Sequence, residues 1–237
     1  AIALLRLAMA RSLLPQGRYQ EVMQIAQKVC DKAGSDSVII AQLIWGTALS
    51  LEGADLTSAQ EHLSAAEELY RQNPGMPGSM LGQILFESGS VAAQQGDLDQ
   101  AIIKYQQALE TAMLENDSYS LELRILAYNN LAYHKLLLGK LEAESDAQRG
   151  LELAQAYGIL GMQTYLYSTL GEIALKAQAY PQAESYFQKG LELAKRFRVP
   201  ERVAGLTANL GVLAQQRGQA DMALHYLSTA LGQAQPL

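Results

Sequence analysis

The residues best suited to chemistry do not converge. His62, His134 and His225 lie far apart in the chain, with none of the short paired spacings that hold a zinc ion. There is no glycine-rich loop followed by Lys and Ser/Thr to cradle phosphates, and no Gly-x-Ser-x-Gly turn to expose a nucleophile. Cys30 is the single cysteine, which excludes an intramolecular disulfide and a cysteine-based metal cluster and suits a reducing, cytoplasmic setting. The nearest thing to a basic stripe, Lys195-Arg196-Phe197-Arg198, closes a helical segment, where cations complement the helix dipole. A net charge of −6 over 237 residues disfavours direct nucleic-acid binding, which needs recurring Lys and Arg. The expectation is a non-enzymatic chain with no catalytic residue, metal or cofactor. Function must then come from binding, through amides, hydroxyls and tyrosines displayed on helices.

Those helices repeat. From Thr164 to Arg196 the apolar positions Leu166, Leu170, Ile173 and Leu175 form one helical stripe. A second helix is expected to start at Pro181, which suits the first helical position because its missing N–H is no loss there, and Ala183, Phe187, Gly190 and Leu191 make that helix's inner face. Small residues at 171, 183 and 190 against large ones at 170, 187 and 191 predict two antiparallel helices packed knob against gap. Units of this kind read as residues 1–34, 37–73, 79–115, 118–157, 160–197 and 201–235, forming a single repeat domain. The equivalent alanines Ala59, Ala101, Ala143, Ala183 and Ala223 are separated by 42, 42, 40 and 40 residues. Thr57-Ser58-Ala59-Gln60 reads as a capping box, Asp97 as a cap, and residues 73–78, Asn-Pro-Gly-Met-Pro-Gly, as the place where the chain hinges. In the fourth unit Leu141 and Ala143 stand one residue out of register, which predicts a local distortion.

This pattern resembles the tetratricopeptide repeat, with Gly171, Ala183 and Gly190 at its small positions and Tyr180 and Phe187 at its large ones. The period is longer than that repeat's 34 residues. In this it resembles the sensor regions of MalT-type and other LuxR-type or STAND regulators, and also the Rap regulators and Pins-type adaptors. The resemblance implies an all-α fold: a right-handed superhelical α-solenoid of about six helix pairs. It also implies a groove, lined by the first helix of each pair, that binds a peptide, a partner protein or a small inducer.

Carried onto this chain, the groove positions are Gln83, Phe86, Glu87, Ser90 and Gln94 in the third unit and Asn129, Asn130, Tyr133 and Leu137 in the fourth. In the fifth they are Tyr165, Ser168, Thr169, Glu172 and Lys176, and in the sixth Ala208, Asn209, Gln215 and Gln216. An exposed amide bonds a ligand backbone while a tyrosine adds contact area at small entropic cost. The expected function is a protein-interaction and sensor module of a bacterial-type signalling or transcription regulator. A sugar-like inducer receptor and a structural spacer are the alternatives.

No apolar run approaches the ~18 residues of a membrane span. The chain lacks an initiator Met, and Ile2, Leu4, Leu5, Leu7, Met9, Leu13 and Leu14 are too many apolar residues for one inner stripe. Leu224, Leu227 and Leu231 likewise expect a following helix. The expectation is therefore an excised piece of a longer protein, able to self-associate through uncapped ends.

Overall fold

The computed structural model describes residues 2–32, 34–73 and 75–234. Ala1, Pro74 of the expected hinge and Gln235 of the sixth unit lie outside them. Among the described residues there are twelve α-helices and one short 3-10 turn, with no strand. In order they are α1 (Ile2–Leu13), α2 (Tyr19–Cys30), α3 (Ser35–Glu52), α4 (Leu56–Gln72), α5 (Gly78–Gln94) and α6 (Leu98–Ala112), then α7 (Ser118–Leu137), α8 (Ala143–Ala156), α9 (Leu160–Lys176), α10 (Tyr180–Arg196), α11 (Pro200–Gln216) and α12 (Ala220–Ala234). No described helix is long and apolar enough to cross a membrane.

The helices pair because small residues on one admit large residues from the next. A Cβ placed on Gly46 of α3 would lie 2.7 Å from Leu63 of α4, and one on Gly89 of α5 2.9 Å from the Tyr105 ring of α6. Gly171 of α9 and Phe187 of α10 stand at 2.3 Å by the same measure. The device continues between pairs: Gly150 of α8 faces Leu166, and Gly190 of α10 faces Leu206. Each interlock removes apolar surface from water at close-packed density, which holds an array of short helices together.

The chain divides into two compact units, Ala1–Ala127 and Tyr128–Leu237, with the division inside α7. The first contains one buried cluster around Leu7, Val22, Ala26 and Ile44, and another around Ile39, Leu43, Leu63 and Ile84. Met76, in the segment read as a hinge, packs against this second cluster, and its carbonyl accepts from the Tyr70 hydroxyl at 3.4 Å. The core of the second unit is built on Ala183, Phe187, Leu206, Leu210 and Leu213, with Ala132, Ala147 and Leu170 beside them.

Local expectations meet three corrections. α4 is capped by Asp55, whose carboxylate accepts from the Ser58 amide at 2.9 Å, so Thr57 lies inside the helix rather than at its cap. Pro181 is the second residue of α10, not the first, still within the turn whose amides have no helical partner. Leu141 points away from the core and is 96% exposed, because α8 starts only at Ala143 and has 14 residues where α10 has 17. The register slip foreseen there thus shortens a helix. Asp97 does cap α6, accepting from the Gln100 amide at 3.0 Å.

At the first helix Leu7 and Leu13 are buried, while Ile2, Leu4, Leu5 and Met9 are exposed. Leu224 and Leu231 of α12 are exposed as well, and Leu227 packs against Gly211.

Candidate functional site

In the first unit α5 carries five of the expected groove residues, and three are already engaged. Gln94 donates to the Ser50 hydroxyl of α3 at 2.7 Å. Ser90 accepts from Tyr105 at 3.2 Å and donates to the Phe86 carbonyl at 3.3 Å. Phe86 packs its ring 5.3 Å from that of Tyr105. Gln83 instead lines a cavity of about 490 Å³ with Arg11, Tyr19, Ile44, Thr47 and Tyr119.

Glu87 is partly buried, and among the described residues no hydrogen bond or ion pair reaches its carboxylate. Burial pushes it up to about 7 from an ordinary 4.5. The folded chain therefore holds this proton to higher pH than the unfolded chain does. The site favours folding below the ordinary carboxylate range and loses that contribution as pH rises through 7. Glu87→Gln is expected to leave stability at pH 4 nearly unchanged and to raise it by on the order of 1–3 kcal/mol at pH 8. Urea melts at the two pH values measure this, and a parent and variant equally stable at pH 8 contradict it.

The second unit gathers more. Along α7, α9 and α11, polar side chains bond across from one first helix to the next. Thr169 donates to Asn129 Oδ1 at 2.9 Å. Asn209 Nδ2 donates to Ser168 Oγ at 3.0 Å and to Glu172 Oε1 at 3.2 Å, and Ser168 adds a third bond, to the same Oε1, at 3.1 Å. Lys176 Nζ donates to the Leu136 carbonyl at 2.6 Å, which also accepts from the Gly139 amide at 3.1 Å; at the C-terminal end of α7 a cation complements the helix dipole. Ser168 and Thr169 are consequently buried and act as struts between helices.

Beside these struts opens a cavity of about 470 Å³, whose polar rim includes Glu172, Lys176, Asn209 and Gln216 and whose apolar wall includes Leu137 and Val212. This volume lies in the range of small-ligand and side-chain sites. Burial raises the Glu172 carboxyl, while the Ser168 and Asn209 bonds and the nearby Arg202 act against the rise.

Other expected residues lie around this cavity or apart from it. Tyr165 is half-exposed, with the Arg202 guanidinium 4.2 Å from its ring centroid. Asn130 lends its carbonyl to His134 Nδ1 at 2.7 Å, and Tyr133 stands edge-on to that imidazole. Ala208 is partly buried, and Gln215 is exposed outside the cavity lining.

Arg202, Leu136, Gln178 and Val212 were not among the expected groove positions, and Leu175, read as part of the inner apolar stripe, also lines the cavity. Arg202 is notable because its Nε is buried with no hydrogen-bond partner among the described residues while its Nη2 reaches the Thr164 carbonyl at 3.4 Å. His62 stacks on Trp45 and bonds Gln42, which gives it a packing role. Among the described residues no group of three His, Cys, Asp or Glu side chains is placed to hold a metal ion.

Residues 84–119 match the tetratricopeptide repeat family. No curated protein sequence matches the chain. Its fold is similar to a chain of the APC/C hetero-tetramer Cut9–Hcn1, at 22% identity and a TM-score of 0.74 over 95% of this chain and 39% of that one. A STAND protein with a tetratricopeptide repeat sensor from Pyrococcus horikoshii gives 15% identity and 0.74, over 95% and 38%. NprR in complex with its cognate peptide NprX gives 16% and 0.76, over 98% and 67%. The chain thus spans about two fifths of the first two proteins, and at these identities the likeness is one of fold.

Proposed function

For a chain that carries a tetratricopeptide repeat and folds as its helix pairs do, we propose an interaction module: a single repeat array in which the α7, α9 and α11 face of the second unit takes an extended peptide segment of a partner protein. The observation that carries this reading is the cavity of about 470 Å³ bordered by Glu172, Asn209 and Gln216. Its polar groups are fixed in advance by the bonds from Asn209 to Ser168 and Glu172, so little side-chain freedom is lost when a ligand binds. Peptide recognition by NprR, whose fold is similar, supports the choice of ligand. Within a signalling or transcription regulator, such a module senses the peptide and does not act on it chemically.

The test is selection of a displayed random heptapeptide library on the whole chain, with counter-selection on Val212→Arg. Val212 is 37% exposed and lines the cavity, so an arginine there fills the site from the solvent side with little expected cost to folding. Peptides enriched on the parent should bind the variant at least about tenfold more weakly, corresponding to about 1.4 kcal/mol or more. Equal binding by both would place recognition elsewhere.

A further inference from the structure

We infer that the second-unit cavity selects a peptide residue with a cationic side chain, lysine or arginine, which docks against the Glu172 carboxylate and the Asn209 amide oxygen while its aliphatic stem lies along Leu136, Leu175 and Val212. This rests on the peptide-binding reading above and specifies what that site recognises.

Among the described residues Glu172 is satisfied on one side of its carboxylate only. Both of its hydrogen bonds, from Ser168 and Asn209, arrive at Oε1, and among the described residues none arrives at Oε2. Asn209 spends its Nδ2 on Ser168 and Glu172, which leaves Oδ1 as an acceptor. Two residues with an acceptor to spare, one on α9 and one on α11, therefore line one cavity, and an ammonium or guanidinium brings the several donors that such a pair can take.

The protein's own cations do not fill this role. Arg202 influences Glu172 electrostatically, yet its guanidinium lies over the Tyr165 ring and its Nη2 is directed to the Thr164 carbonyl. Lys176 is held on the Leu136 carbonyl. Among the described residues neither forms an ion pair with Glu172, so its carboxylate is partly desolvated with only the more distant Arg202 to offset its charge, which leaves a cost that a closer cation removes. The apolar residues beside it suit the methylene stem of a long basic side chain, which buries its carbons while its head finds the charge. The net charge of −6 adds long-range attraction for a basic segment.

A purely structural role for Glu172 would need only Oε1, which glutamine supplies equally well. Glu172→Gln therefore keeps the bonds from Ser168 and Asn209 and removes only the charge. Library peptides that bind the parent and lose binding on Val212→Arg should be enriched in lysine or arginine. For one such peptide, Glu172→Gln should weaken binding about tenfold or more. Norleucine in place of the peptide's lysine should weaken binding to the parent by a similar factor and make little difference to Glu172→Gln, so that the two losses are coupled. Val212-dependent peptides without a basic preference, or equal binding by parent and Glu172→Gln, overturn the cationic specificity and leave the groove reading intact. Failure to enrich any Val212-dependent peptide overturns both.

Discussion

Lys135→Ala is expected to lower the stability of the chain by about 3–5 kcal/mol, because it leaves a buried carboxylate without its counter-charge. Lys135 Nζ lies 2.6 Å from Asp146 Oδ2, with side-chain exposures of 15% and 9%, and the pair ties α7 to α8. Exposed ion pairs contribute little, but here the surviving aspartate would remain desolvated. Replacing both partners, Lys135→Met with Asp146→Leu, should recover most of the loss, since a buried pair exchanged for apolar groups of similar size is often neutral. Urea melts of the two variants check this. A loss below about 1 kcal/mol for Lys135→Ala would mean that water or another group reaches Asp146.

Gly171→Ala tests the interlock that builds the repeats. An added Cβ would stand 2.3, 2.5 and 2.9 Å from three atoms of the Phe187 ring, and that ring is fully buried. Alanine in a helix interior gains about 1 kcal/mol over glycine, but overpacking typically costs about 1–3 kcal/mol, and here the neighbour is a rigid ring without a flexible end to yield. The expected result is a net loss of about 1–2 kcal/mol for Gly171→Ala, with a lower melting temperature, and a larger loss for Gly171→Leu. Gly205, on the exposed side of α11, has nothing within 4 Å of its would-be Cβ. Gly205→Ala should therefore raise stability by about 0.5–1 kcal/mol. If both alanine variants moved the melt in the same direction, close approach at Gly171 would not be what orders α9 and α10.

Much of this packing was legible because it depends on residue size at a fixed period. Gly171 against Phe187, and the cap at Asp97, follow from spacing alone. The cap of α4 did not, because Asp55 and Thr57 are both good capping residues and only the backbone path selects between them. The fate of Leu141 was not legible for a related reason: the shortened turn predicts a distortion but not that α8 begins only at Ala143, which leaves Leu141 ahead of the helix and exposed.

For the candidate site, the repeat pattern pointed to a helix face but said nothing of how deeply its residues lie. Ser168 and Thr169 are small and polar, and whether such residues meet ligand or the next helix depends on how closely the helices approach. A usable signal was nonetheless present in the period. Thr169 and Asn129 are 40 residues apart, Lys176 and the Leu136 carbonyl 40, and Ser168 and Asn209 41, so polar residues one repeat apart are lateral neighbours. Applied systematically, that rule marks Ser168 and Thr169 as struts. It does not find Val212, whose part in the cavity comes from its exposure, or Leu175, which the apolar stripe assigns to the core and which packs there as well as lining the cavity.

Whether the α7, α9 and α11 face of the second unit binds an extended peptide is decided by amide hydrogen exchange of the whole chain, with and without a saturating heptapeptide enriched from the library, since a ligand slows exchange most where it packs. Added protection is expected in peptides of the chain spanning Leu136, Glu172 to Lys176 and Asn209 to Gln216, with little change around Glu184, Gln188 and Lys189 of α10. Protection concentrated on that α10 surface, with none along α9 and α11, would rule out peptide binding at this face.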